Sequence, residues 1–471
     1  MNSCPLAVVG AGPAGLGIAI AAAESGLDVV LVDENQKIGG QIYRQASLAE
    51  SDRDDRHQPA KRFVALSQRL GELSQRITMI PRTRVWGIFE QTLALAGPSP
   101  CFLRADRIAL APGAHEFVPP FPGWTLPGVM TAGAAQRLVK SMQVAPGQRV
   151  ILVGTGPFLL TVANSLLDAD VQVVAVVEAS RRRDWLWRLP SMASARMSLV
   201  LEGWRYLRRI RSAKIPLLTG HVITRATGPS QVESVTVAPC SRDWAPDHSR
   251  ARTFDVDALC VGYGFVPRTQ MAQLAGCKVK YVSARGGWIP ELSVDGQTSQ
   301  PRIWCAGDGA GIGGALLAEL SGRLVGLSIA RDCNALSETE YVRLRAPVCR
   351  EVRRLQRFRD ALESVSRIRS GLFSLADEDT HVCRCEEVTL GEVEEALQAG
   401  CSSMRELKIA SRIGMGPCQG TMCWRGIAEL ACQKTGQSPE SFGPLSIRPP
   451  IQPIGMGELA KLATDGPEGP G

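Results

Sequence analysis

An apolar strand that runs into Gly-x-Gly-x-x-Gly and then into a helix leaves a chain few folds to choose from. Here the pattern occurs once in full and once altered. LAVVGAG (6–12) reads as a buried strand, with a helix from Pro13. Gly10 permits the tight turn, Gly12 lets backbone N–H groups approach a pyrophosphate, and Gly15 lets the helix pack close to the strand. The positive end of that helix then faces the phosphates. DVVLVDE (28–34) is the second strand. It ends at Asp33, near the spacing at which an acid bonds the adenosine ribose hydroxyls.

The pattern returns in GQRVILVGTGP (147–157). Gly154 and Gly156 are in place, but Leu159 stands at the third position, and Glu178 closes the next strand, VQVVAVVEAS (171–180). Strands alternating with helical runs predict an α/β fold built on a parallel sheet, with two Rossmann-like dinucleotide-binding domains, one nested in the other. Leu159 speaks against close helix–strand packing at the second turn. Two readings therefore stand for Gly154, Gly156 and Glu178: a site for NAD or an adenine nucleotide, or a degenerate domain kept as scaffold.

A second constellation lies near the C-terminus. HVCRCEEVTL (381–390) and GMGPCQGTMC (414–423) supply Cys383 and Cys385 as CxC, then Cys418 and Cys423 as CxxxxC. Four thiolates in two pairs can hold zinc or a 2Fe–2S cluster. Structural zinc sites more often use CxxC pairs, which this spacing does not match. Gly414, Gly416 and Gly420 flank Cys418, and the amides they free can donate hydrogen bonds to cluster sulfurs. His381 reads as structural. The other ten cysteines stand alone and read as small buried apolar residues in a reducing compartment, with no signal peptide ahead of them.

Charge is uneven. Between Glu178 and Lys214 ten basic residues face three acids, which accounts for the whole net charge of +7. Trp185, Trp187 and Trp204 lie in the same window. It reads either as a solvated helix face or as a surface that meets a membrane or a partner. No nucleic-acid motif accompanies it, and no apolar run predicts a transmembrane helix. No nucleophile or acid–base constellation is legible, so the catalytic residues are unknown at this level. His115 and Glu116 read as ordinary loop residues, with a place beside a bound cofactor's ring as the alternative.

Three further segments carry a resemblance. KIGGQIYR (37–44), LAPGA (110–114) and CAGDGAGIGG (305–314) resemble motifs of the FAD-binding, pyridine-nucleotide-disulfide-reductase-like flavoproteins. That likeness implies FAD contacts at Gly40, Gln41, Gly307 and Asp308. The redox cysteine pair of those enzymes is absent, which argues against dithiol–disulfide chemistry. The CxC…CxxxxC segment resembles the bacterioferritin-associated-ferredoxin-like domain, which implies a 2Fe–2S cluster. With PFPGWTLPGVMTAGAAQ (120–136), SRDWAPD (241–247) and VGYGFVPRTQ (261–270), the whole chain resembles the FAD/2Fe–2S subunits of heteromeric amino-acid and opine dehydrogenases, the family that includes hydrogen cyanide synthase, opine oxidase and hydroxyproline or proline dehydrogenase subunits.

The resemblance implies an oxidoreductase subunit that relays electrons from C–N bond oxidation of glycine, an imino acid or an opine. The expected partners are an FAD-dependent amino-acid-oxidase-like catalytic subunit, a small ferredoxin-like subunit, and a membrane quinone pool. The expected location is cytoplasmic, peripheral at the cytoplasmic face of the membrane. The expected division is an FAD domain (1–114 and 266–335), an inserted nucleotide-binding-like domain (115–265), a helical connector (336–377), a small helical cluster domain (378–437) and an extended Pro/Gly-rich tail (438–471). The competing readings are a stand-alone NAD(P)H-dependent reductase and a redox-sensing interaction protein.

Overall fold

The computed structural model describes residues 3–43 and 58–465. In the first sheet, parallel strands Ile77–Ile80, Val29–Val32, Ser3–Val9, Cys101–Leu110 and Ile303–Cys305 lie in that order. An antiparallel pair, Thr92–Ala96 and Arg84–Phe89, extends it from the first half of Cys101–Leu110. Val29–Val32 is buried throughout, as a parallel strand covered on both faces must be.

Helix Pro13–Glu24 packs on helix Ala315–Asp332 almost backbone to backbone. A Cβ on Gly322 would lie 2.0 Å from the Ala14 carbonyl oxygen, and one on Gly326 2.6 Å from that of Ile18. Those two glycines, four residues apart, couple the late helix to the first fingerprint.

The second sheet is wholly parallel, in the order Leu217–Thr219, Gln172–Glu178, Arg149–Gly154, Ala258–Gly262 and Val129–Thr131. The chain leaves the first sheet through Ala114–Glu116 and returns through Phe265–Pro267. These two short strands pair antiparallel, so the exit and the return lie side by side. Residues 115 and 116 are therefore not loop residues. Backbone pairing holds them, half-buried, in the link between the two sheets.

Leu159 does not prevent helix Pro157–Asp168 from packing on its sheet. It is fully buried, and its Cδ2 lies 3.1 Å from where a Cβ on Gly262 would be. The neighbouring strand supplies the room that a glycine at 159 would have supplied.

The basic window forms helix Arg182–Ser212, kinked at Arg196 and containing Pro190. It lies against helix Glu338–Ser366, with Met192, Trp185 and Val200 meeting Phe358, Ala361, Leu362 and Val365. The cysteine region contains a short hairpin, His381–Cys383 with Val388–Thr389, and helices Leu390–Gln398, Met404–Ser411 and Trp424–Thr435. The tail is not extended throughout, since Met456–Asp465 is helical. Glu458 accepts the Gly455 N–H at 3.0 Å and pairs with Arg84, which fixes that helix to the first sheet.

Candidate functional site

One cavity of about 700 Å³ is walled by both glycine turns, by the end of the connector helix and by the cysteine loop. At the first turn Gly10 has φ +101°, and a Cβ there would lie 2.4 Å from the Ala111 carbonyl oxygen. A Cβ on Gly15 would lie 1.7 Å from the Gly10 carbonyl oxygen. Gly12 differs: the nearest atom to its Cβ position is the Gly40 Cα at 3.8 Å, and both residues line the cavity. The open side of the turn is thus the side a pyrophosphate would take.

Asp33 lines the cavity and accepts from the Ala11 N–H at 2.6 Å and from the backbone and side chain of Asn35 at 2.7 and 2.9 Å. Gly40 and Gln41 line the same wall. Across from them Asp308 accepts from the N–H groups of Gly313 and Gly314 at 2.8 and 3.0 Å, where helix Ala315–Asp332 begins. Burial pushes the Asp308 carboxyl up. Gly307 does not reach the cavity wall. Its role is close packing, with a Cβ there 2.6 Å from that of Ala14.

The second turn differs. Gly156 has φ +92° and lines the cavity with Thr155, but Glu178 does not. Its carboxylate accepts from the Thr155 hydroxyl at 2.8 Å, the Gly156 N–H at 2.9 Å and the Ser180 N–H at 3.0 Å. The last turn of helix Glu338–Ser366 lies on this turn: Ser180 donates its hydroxyl to the Val365 carbonyl at 2.9 Å, and the Ser366 Cβ is 3.6 Å from where a Cβ on Gly156 would be. Glu178 is committed to the protein's own groups, and Gly154 lies against the Gly262 carbonyl, 1.9 Å from where its Cβ would be.

The four cysteines converge from two loops. Cys383 and Cys423 are hydrogen-bonded thiol to thiol, as are Cys385 and Cys418. The hydrogen bond from Cys423 pulls the Cys383 thiol down to about 6, and the N–H groups of Gly414, Glu386 and Cys385 reinforce this. Cys423 is raised well above its ordinary value. Among the described residues no three His, Cys, Asp or Glu side chains are placed to hold a single metal ion. Four cysteine thiols drawn from two loops are the ligand set that a 2Fe–2S cluster takes. The Gly414 amide aimed at sulfur is the kind of donor that tunes a cluster. A Cβ on Gly416 would lie 2.3 Å from that of Cys385, so the loop closes only with glycine there.

The cysteine loop and the first fingerprint share this cavity. Pro417, Cys418, Thr421, Met422 and Arg425 line the same cavity as Gly12, Asp33 and Asp308. Gln270 donates to the Thr421 hydroxyl at 3.2 Å, joining the returning crossover to the cysteine loop. His115 lies beside the Thr421 backbone, and its Nδ1 is buried with no partner. Glu116 accepts the Gly133 N–H with both oxygens at 2.9 Å, and burial pushes its carboxyl up. Their position just after the glycine turn of LAPGA is the one sequence signal for these residues.

Burial, with Arg268 and Arg425 nearby, pushes His115 down to about 3. The unfolded chain takes up this proton near pH 6.5, and the folded chain does not until about pH 3. Stability is therefore full above about pH 6.5 and falls as pH drops toward 3. Between pH 7 and 5.5 the wild type should lose about 1 kcal/mol more than His115→Gln, read from urea midpoints at both pH values.

A flavin-type double dinucleotide fold joined to a four-cysteine iron–sulfur domain defines a redox protein that handles electrons in pairs and singly. Residues 5–322 match the pyridine nucleotide-disulphide oxidoreductase family, and residues 381–431 match the BFD-like [2Fe-2S] binding domain. Hydrogen cyanide synthase subunit HcnB of Pseudomonas aeruginosa is 35% identical, over 99% of this chain and 100% of its own length. An opine oxidase subunit of Rhizobium meliloti is 32% identical, over 97% of this chain and 87% of its own. L-proline dehydrogenase from P. horikoshii shares the fold with a TM-score of 0.69 at 21% identity, over 97% of this chain and 79% of that one. The chain belongs to the family of HcnB and these opine oxidase subunits, oxidoreductase components that carry FAD and a 2Fe–2S cluster.

These relatives are named as subunits of larger enzymes, hydrogen cyanide synthase and opine oxidase. Among the described residues no helix is long and apolar enough to cross a membrane.

Proposed function

We propose that this chain is the electron-relay subunit of a heteromeric dehydrogenase acting on the C–N bond of glycine, another amino or imino acid, or an opine. FAD, when bound, takes two electrons together and releases them one at a time. Gly10, Gly12, Gly15, Asp33, Gly40, Gln41 and Asp308 would hold it, with Gly307 shaping the turn. Cys383, Cys385, Cys418 and Cys423 would hold the cluster. One observation carries the reading: Cys418 and its loop form a wall of the cavity that the first fingerprint opens into. The loop brings a one-electron acceptor to the flavin in a chain that has no redox dithiol there.

The second glycine turn serves as scaffold in this reading. Glu178 is engaged by Thr155, Gly156 and Ser180, and the connector helix lies over Gly156. The relatives' names support the substrate class: hydrogen cyanide synthase, opine oxidase and, over 62% of this chain, the alpha subunit of sarcosine oxidase from Corynebacterium. The partners in this reading are a small ferredoxin-like subunit plus an FAD-dependent amino-acid-oxidase-like catalytic subunit, with a membrane quinone as the final acceptor.

The test is anaerobic titration of the co-expressed assembly with glycine, proline, hydroxyproline and opines. Flavin bleaching by one of these in the assembly, and by none in the isolated chain, is the expected result. Bleaching of the isolated chain by NADH would overturn it in favour of a pyridine-nucleotide-fed reductase.

The same reading places the assembly at the cytoplasmic face of the membrane. Helix Arg182–Ser212 supports this, since Trp187 is 83% exposed and Leu186, Met197 and Trp204 are also exposed among its arginines. The chain should sediment with anionic vesicles at low salt and not with zwitterionic ones. Trp187→Ser with Trp204→Ser should weaken that binding roughly 10-fold, from the apolar area removed.

A further inference from the structure

Arg425 is a buried cation that makes no ion pair among the described residues; Glu363, which lines the same cavity and feels its charge, is paired with Arg359 at 3.8 Å. Arg425 is 5% exposed and lies two residues beyond Cys423, on the first turn of helix Trp424–Thr435. Its guanidinium stands over the Phe117 ring, 5.1 Å from the centroid, and Nη1 donates to the Phe265 carbonyl at 3.4 Å. Its Nε is buried with no partner. Among the described residues no carboxylate lies within ion-pair distance. Glu429, one turn on, is bonded to Tyr281 instead. The side chain lines the cavity together with Asp308, Gly113 and Phe265.

A guanidinium cannot shed its proton to escape such a place. Burying it unpaired is costly, and the cost is offset only if a negative charge or strong acceptors come to meet it. Asp308 and Glu363 line the same cavity but are held by the Gly313 and Gly314 N–H groups and by Arg359, whereas a bound flavin gains negative charge when it is reduced. We infer that Arg425 is the cluster domain's contact with the flavin, donating to its electron-rich edge and binding the reduced flavin more tightly than the oxidised one. This residue would then raise the flavin's potential from the side on which the cluster lies. Its position in the helix that follows Cys423 ties that contact to the integrity of the cysteine loop. The inference rests on the reading of this cavity as the FAD site.

The test is a spectroelectrochemical titration of the anaerobically purified holoprotein, with flavin and cluster midpoints followed at separate wavelengths. In Arg425→Gln the reduced flavin should bind at least tenfold less tightly relative to the oxidised form, a downward shift of about 30 mV for a two-electron couple. The cluster's visible circular dichroism should be unchanged, and Arg425→Lys should fall between the two. A flavin-loaded Arg425→Gln with the wild-type midpoint overturns the inference, as does a shift confined to the cluster. If Arg425→Gln purifies without flavin, Arg425→Lys decides: a lower midpoint supports the inference and an unmoved one overturns it. A wild-type chain that carries its cluster but no FAD would overturn the reading of the cavity instead, and is recognised before any variant is made.

Discussion

Cys418→Ser should strip the 2Fe–2S absorbance from this chain and leave its flavin bound. The four cysteines lie as two thiol pairs, and each pair has one member on the 383–385 loop and one on the 418–423 loop. Losing any one opens both loops at once. Serine keeps the volume, but its hydroxyl is not a thiolate at neutral pH. Electron throughput from substrate to acceptor in the assembly should fall by at least roughly 100-fold, since even changes outside the ligand shell cost 10- to 100-fold. Reduction of the flavin by substrate in a single turnover should persist, because that step precedes the cluster. Cys260→Ser is the control. That thiol is buried in the second sheet, and burial pushes it up, so its loss should leave the cluster spectrum intact. Iron and sulfide analysis with the visible spectrum checks both variants. A Cys418→Ser chain that keeps its cluster spectrum would remove Cys418 from the ligand set.

Gly12→Val should produce a folded chain that purifies without FAD. The Cβ position of Gly12 meets nothing nearer than 3.8 Å, so the first carbon of a side chain fits the apoprotein without a clash. The added side chain instead occupies the face from which backbone N–H groups would reach the pyrophosphate. A loss of about two orders of magnitude in FAD affinity, near 3 kcal/mol, is expected from displacing that approach. Gly15→Ala is the structural counterpart. Its Cβ would meet the Gly10 carbonyl oxygen at 1.7 Å, a backbone contact that no rotamer relieves, so its effect should appear as a lower yield of folded protein. FAD content per chain, with a thermal melt of each apoprotein, separates the two. Equal FAD content in Gly12→Val and wild type would show that the pyrophosphate lies elsewhere.

The amino-acid order by itself determined the α/β class, the first fingerprint and the four-cysteine segment. Each rests on short-range regularities: a strand's run of apolar residues, the backbone freedom of glycine at fixed spacing, and thiols whose separation along the chain limits what they can bind. It also separated Leu159 from a regular third glycine, but it could not show that Gly262, over a hundred residues away, makes room for it.

Tertiary structure decided what depends on residues far apart in sequence. It turned His115 and Glu116 from loop positions into a half-buried strand crossover, because the partner strand at 265–267 pairs with them. It made the tail partly helical where its Pro and Gly content implied an extended path, because Glu458 finds both an N-terminal amide and Arg84. It laid the end of the connector helix on the second glycine turn, which no local pattern announces. It also brought Arg425 and the cysteine loop to the wall of the cavity that the first fingerprint opens into. A residue's local spacing fixes its secondary structure and its chemistry, but which surface it faces is set by long-range packing.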